Sequence, residues 1–359
     1  MRKAVITSGG TGGHIFPAVA VARKLIKEKG YEVLFIGTAD GMEKLIIEKE
    51  GIRFLAVSSG RLYRKLTFKN FISAYLVIKG SIQSVRALKT EKPDVVVGFG
   101  GFVCAPVMLA AGFLGIKSVL QEQNAVPGLA NRWLSKFAEK VLMGFEGAAP
   151  YFGKKAVFTG NPVREEIGRK SKAEGLGNLG LAVGMKTVSV IGGSQGGKGL
   201  NKAVFEALPF LKGKNIRVIW MTGKTEYEFY SKNAKGTGTD CLVKEFFSNI
   251  DDVYAASDLI VCRSGASTVF EVLKCGLPSV MVPFPYAANN HQYLNALDVE
   301  KHGAGLVCEE KDLSGEKLAG TIFGMFAAEG RLEKMGAAAK ELGRRDGCES
   351  IVKEITGLI

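Results

Sequence analysis

Residues 4–22 read AVITSGGTGGHIFPAVAVA, and residues 188–207 read VSVIGGSQGGKGLNKAVFEA. Each is an apolar strand-like run, a Gly-Gly turn, a hydroxyl residue, more glycine, and then an apolar pattern of helical period. A strand that hands over to a helix through glycines leaves backbone N–H groups and the positive helix end above the sheet. A phosphate is the natural occupant of such a place, although a glycine turn can also serve only to pack the helix closely on its strand. From the first stretch, strand-like runs recur at Ala4–Thr7, Val33–Ile36, Val95–Val97, Ser118–Leu120 and Val141–Met143, separated by segments of helical length. From the second stretch they recur at Thr187–Ile191, Arg217–Met221, Leu259–Cys262 and Ser279–Val282. Strand–helix alternation predicts parallel sheets covered by helices. The chain is therefore expected to be α/β, with two Rossmann-like, doubly wound parallel-sheet domains facing across a cleft and ligands held at the carboxyl ends of the strands. The changeover falls near Gly160–Arg164, followed by the connector REEIGRKSKAEGLGNLGLAVGMK.

Composition agrees with two globular domains. The chain has 359 residues, against about 150 per domain. It is 47% hydrophobic and 23% charged, with 46 glycines and 10 prolines, which excludes collagen-like, mucin-like and disordered classes. The net charge of +13 calls for an anionic partner. The six cysteines form no C-x-x-C pair and have no histidine nearby to complete a zinc site, so reduced, cytosolic thiols are expected. The opening MRKAVITSGGTGGH has too short an apolar stretch for a secretory signal. Residues 95–116 carry no charge and are nominally long enough to span a bilayer, but Gly98, Gly100, Gly101 and Pro106 divide them into a buried strand, a turn and a core helix.

Two familiar nucleotide loops nearly match and then fail. Gly192 to Lys198 fits G-x-x-x-x-G-K, but Gly199 stands where a magnesium-binding Ser or Thr is required. Gly10-Thr11-Gly12-Gly13 lacks the third spaced glycine of the dinucleotide fingerprint because position 15 is Ile, although Asp40 could mimic a ribose ligand. The sequence also has no Asp-x-Asp triplet of the kind that holds a metal under a nucleotide sugar, so no metal and no cofactor are expected.

Seven motifs in order then carry a resemblance: TSGGTGGHIFPA, VGFGGFVCAP, QEQNAVPGLANRWL, TGNPVR, IGGSQGGKGLN, VCRSGASTVFE and PFPYAANNHQYLNA. From residue 5 to about residue 300 the sequence is similar to the MurG family of bacterial N-acetylglucosaminyltransferases, which convert lipid I to lipid II in peptidoglycan synthesis. The resemblance implies a GT-B architecture. Residues 1–163 would form an acceptor-binding, membrane-associating domain, residues 164–340 a UDP-sugar donor domain, and residues 341–359 a helix returning to the first domain. It implies UDP-N-acetylglucosamine and lipid I as substrates, an anionic membrane surface as partner, no nucleic acid, and a peripheral place on the cytoplasmic face of the cell membrane. Ser194 and its loop would meet the donor diphosphate, with Arg164 near the nucleotide and Thr11, Gly12 and Gly13 counted with the donor site. Arg263, Ala266, Ser267 and Thr268, with Val269 and Phe270, open a helix that would cap a phosphate. Glu271 would take the ribose hydroxyls, the backbone of Phe247 the uracil edge, and Asn124, His291 and Gln292 the N-acetylglucosamine. Gln121, Phe102 and Asn289-Asn290 depart from common family residues, and Phe102 lacks a tyrosine's hydroxyl.

Inverting transfer to the muramyl C4 hydroxyl needs a proton acceptor and a neutralised leaving diphosphate; Arg263 or Arg164, with helix ends, would supply the positive charge. His14 is the first choice as general base, because a helix N-terminus disfavours the protonated ring. Glu122 is the reserve. Either side chain could instead only fix its loop.

Between Gly51 and Thr90 there is no acid, while Arg53, Arg61, Arg64, Lys65, Lys69, Lys79, Arg86 and Lys89 add eight positive charges. Phe68, Phe71, Ile72, Tyr75, Leu76, Ile82 and Val85 fall near helical period. Arg61, Arg64, Lys65, Lys69, Phe71, Tyr75 and Lys79 are the expected membrane contacts, the alternative being an ordinary core-facing helix. A UDP-sugar epimerase, a transferase acting on another glycolipid, and a non-catalytic nucleotide-sensing or tethering protein remain as rivals.

Overall fold

The structure is a computed structural model and describes residues 1–61, 68–193 and 196–359. The chain divides into two units, Met1–Arg164 with Arg345–Ile359, and Glu165–Arg344. The first break lies one residue later than the sequence suggests, so Arg164 stays with the first unit, and the return begins at Arg345 rather than at residue 341.

Among the described residues, the first unit holds a seven-stranded parallel sheet in the order β3-β2-β1-β4-β5-β6-β7. Its strands are β1 Lys3–Thr7, β2 Glu32–Gly37, β3 Arg53–Ala56, β4 Val95–Gly98, β5 Ser118–Glu122, β6 Lys140–Met143 and β7 Ala156–Phe158. Alternate residues pack to opposite faces: Ala4, Ile6, Val95 and Val97 join one core, and Val5 and Val96 the other. Both faces are covered, which is why these strands read as continuous apolar runs. The uncharged stretch from Val95 resolves into β4, a glycine turn and the helix Cys104–Phe113. The C-terminal helix Gly347–Thr356 buries Ile351, Val352 and Ile355 in the core that contains Ile15 and Ala18 of the helix Gly12–Lys29. Lys24–Glu349 and Lys140–Glu354 ion pairs, at 2.8 and 2.7 Å, flank that contact.

The second unit holds a six-stranded parallel sheet in the order β10-β9-β8-β11-β12-β13. These strands are β8 Lys186–Ile191, β9 Ile216–Met221, β10 Cys241–Lys244, β11 Leu259–Cys262, β12 Ser279–Met281 and β13 Leu306–Val307. In each sheet the strand order reverses beside the first strand of the unit, β1 or β8, and a glycine turn sits there. That is the switch point where an open α/β sheet leaves room for a ligand.

The helix Phe68–Glu91 is built inside out. Its buried residues are Ser73, Gly80, Ser84 and Leu88. Phe68, Phe71, Ile72, Tyr75, Ile78 and Ile82 are exposed. A Cβ on Gly80 would overlap the Ser58 carbonyl, so the small inner face lets the helix lie close against the backbone. The alternative of a core-facing helix holds only for part of that face, where Val85 packs against the core beside Leu88. Arg53 also leaves the cationic run, since it pairs with Glu32 and Glu91. Arg64 and Lys65 lie outside the described residues. No helix among the described residues is long and apolar enough to cross a membrane.

Candidate active site

In the first unit the chemistry gathers where β1, β4 and β5 end. Gly100 and Gly101 both take left-handed backbone, at φ 87° and 83°. A Cβ on Gly101 would collide with the Gly9 carbonyl, so the turns after β1 and β4 touch backbone to backbone. That contact places His14, in the first turn of the helix Gly12–Lys29, beside β4. Its Nδ1 lies 2.9 Å from the Phe99 carbonyl. A carbonyl only accepts, so Nδ1 carries the proton and a neutral ring has its lone pair on Nε2. Gln123 Nε2 donates to the same carbonyl at 2.6 Å. Thr11 precedes the helix in extended conformation, without a side-chain cap. Gly12 leaves room for Phe16, since a Cβ there would come within 2.9 Å of its ring, and the Arg164 guanidinium lies 5.4 Å from the same ring. Gly13 is exposed.

Glu122 ends β5 and is 1% exposed. One carboxylate oxygen accepts from the Asn124 amide at 3.0 Å and its side chain at 3.2 Å, and the other accepts from Asn131 Nδ2 at 2.8 Å. Burial raises its pKa, and hydrogen bonds from Asn124, Asn131 and the Gly128 amide pull the other way. This is the geometry of a carboxylate that fixes the loop 123–131, the alternative already open for Glu122. Asn124 is fixed by the same contact.

In the second unit, Gly265 leads into the helix Ala266–Lys274, so the amides of Ala266, Ser267 and Thr268 sit in its opening turn at the carboxyl end of β11. Val269 and Phe270 face inward and are buried. Glu271 follows one turn on, and the buried Tyr254 hydroxyl donates to its Oε2 at 2.8 Å, orienting the carboxylate. Gln292 ties three segments together. Its Oε1 accepts from the Phe284 amide at 2.9 Å and its carbonyl from Ser264 Oγ at 2.8 Å. His291 donates from Nδ1 to the Ala288 carbonyl at 2.8 Å, just past Asn289 and Asn290, which both hold left-handed backbone. Phe247 is 7% exposed and lies just beyond β10. Ser194 falls outside the described residues.

Arg263 departs from its expected role. Its Nη1 donates to the Val282 and Pro283 carbonyls, each at 3.1 Å, its Nη2 to Glu310, and Phe284 covers it at 5.5 Å. At 6% exposed, it is spent on bracing the protein, which leaves the helix amides as the donors best placed for a phosphate. Tyr254, Gln123, Asn131 and Glu310 were not singled out from the sequence. Gln123 and Asn131 lie within the quoted motif at residues 121–134 but were not given roles there, whereas Tyr254 and Glu310 lie outside the seven motifs.

The glycosyltransferase family 28 N-terminal domain matches residues 4–143, and the glycosyltransferase family 28 C-terminal domain matches residues 187–351. The chain belongs to glycosyltransferase family 28. Within this family it is 40% identical over 359 residues to a UDP-N-acetylglucosamine–N-acetylmuramyl-(pentapeptide) pyrophosphoryl-undecaprenol N-acetylglucosamine transferase of Desulfitobacterium hafniense, covering 98% of this chain and 97% of that one. A transferase of the same name from Halalkalibacterium halodurans is 39% identical over 360 residues, covering 98% and 99%. Among solved structures, MurG of Acinetobacter baumannii superposes with a TM-score of 0.80 at 29% identity, covering 99% of this chain and all of that one. The family 28 chain described here is therefore a glycosyltransferase of GT-B fold.

Proposed function

We propose that the chain transfers N-acetylglucosamine from UDP-N-acetylglucosamine to the muramyl C4 hydroxyl of lipid I, with inversion, giving lipid II. The full-length likeness to transferases bearing that name carries this reading. His14 is the general base: its Nδ1–H is tied to the Phe99 carbonyl, so Nε2 is the basic nitrogen. It takes the proton as the hydroxyl attacks the sugar C1, and the C1–O bond to the diphosphate breaks with the electron pair leaving on UDP. The first unit binds the acceptor and the second binds the donor. In the second unit, Ser194 and the opening turns of the helices Lys198–Leu211 and Ala266–Lys274 meet the diphosphate. Glu271 holds the ribose, the Phe247 backbone the uracil, and His291 and Gln292 the sugar; Asn124, Arg164, Thr11, Gly12 and Gly13 are counted with the donor-binding residues.

Leaving-group charge is met by helix ends, without a divalent ion. Radiolabelled donor with lipid I is expected to give lipid II at the same rate with and without EDTA. Loss of turnover in EDTA, restored by magnesium, would overturn metal independence, and turnover of donor without acceptor would favour an epimerase.

The acceptor's polyprenyl tail stays in the bilayer, and the outward face Phe68, Phe71, Ile72, Tyr75, Ile78 and Ile82, flanked by Lys69 and Lys79, supports a peripheral seat on the cytoplasmic leaflet. Each nearby cation adds about 1 kcal/mol on anionic lipid. Co-sedimentation with vesicles rich in phosphatidylglycerol is expected, and Phe71→Ser with Tyr75→Ser should weaken it by at least about tenfold. Equal retention of the double variant, or comparable affinity for duplex DNA, would refute the membrane seat.

A further inference from the structure

The phosphate-loop pattern that fails at Gly199 has a structural reason. Gly199 lies inside the helix Lys198–Leu211 and is not among the glycines with left-handed φ, so its backbone does not require glycine. It is the second residue of that helix, so what a side chain at this position would meet is the informative feature. A Cβ at Gly199 would run into the Glu310 carboxylate, and a Cβ at Gly197 would come within 2.8 Å of Arg263 Nη2. The two glycines form the floor on which the Arg263–Glu310 ion pair rests.

The pair brings together segments that follow four different strands. Glu310 follows β13, Arg263 follows β11, the Val282 and Pro283 carbonyls that Arg263 holds follow β12, and Gly197 opens the helix after β8. All lie in the second unit. We propose that Glu310 is a positioning residue for the donor: through Arg263 it holds the turn at Gly197 and Gly199 so that the first amides of that helix keep their aim at the diphosphate. The proposal rests on the donor-site reading above.

The test uses the full chain, with UDP and uridine binding measured by calorimetry and donor and acceptor KM by steady-state assay. Glu310→Ala is expected to weaken UDP by about tenfold while leaving uridine affinity and acceptor KM unchanged, because only the phosphate-facing amides lose their support. Gly199→Ala, which displaces the Glu310 carboxylate, is expected to do the same by itself, and it carries the test should Glu310→Ala fail to fold. In the double variant, Gly199→Ala should cost nothing further, since its collision partner is gone. UDP affinity unchanged in either single variant, uridine affinity falling in parallel, or losses that multiply in the double variant would each overturn the proposal. If the unsubstituted chain binds no UDP at all, the donor-site reading fails and the positioning role falls with it.

Discussion

His14→Ala is expected to lower kcat by roughly 10²- to 10⁴-fold while donor KM stays within about threefold. The ring is not among the residues proposed above to hold the uracil, the ribose or the diphosphate, so removing it should spare UDP binding. The contact of Nδ1 with the Phe99 carbonyl, at 2.9 Å, turns Nε2 into the basic nitrogen. A base acting through Nε2 makes a further demand: the falling acidic limb of the kcat profile should vanish in the alanine variant, because no ring remains to be protonated. Equal, small changes in kcat and KM would reduce His14 to a loop contact and return Glu122 to consideration. Glu122 would then have to act from a buried position with both oxygens already accepting.

Gly101→Ala should be the most damaging single methyl in the first unit. The residue combines a φ of 83° with a Cβ direction that meets the Gly9 carbonyl, so neither backbone relaxation nor a side-chain shift relieves the overlap. A destabilisation of about 3 kcal/mol or more is expected, lowering the first thermal transition by roughly 6–12 °C. Catalysis should fall as well, because the turn it distorts carries Phe99 and thereby His14. A melting curve unchanged by the substitution would show that the two turns do not depend on each other.

The central strands were legible because they are buried on both faces: β1, β2, β4, β5 and β6 of the first sheet and β8, β9, β11 and β12 of the second read as plain apolar runs. The strands that escaped, β3, β7, β10 and β13, are the edges of the two sheets. Arg53–Ala56 is largely exposed and Leu306–Val307 is two residues long, so neither offers a periodic signal to find. The glycine turns were legible for a local reason, since strand, turn and helix follow one another in the chain. Arg263 was not, because nothing near it in sequence announces Glu310, 47 positions away. The inside-out helix was half legible: its period was plain, but the sequence could not tell which face the small residues Ser73, Gly80 and Ser84 would occupy.

The partner of His14 Nδ1 is a peptide carbonyl. In many acid–base dyads the orienting partner is itself a mutable residue, and losing it strands the imidazole in the wrong tautomer. Here no codon change at position 99, short of one that bends the main chain, can delete the acceptor, so drift in the surrounding sequence can proceed without touching the proton's address.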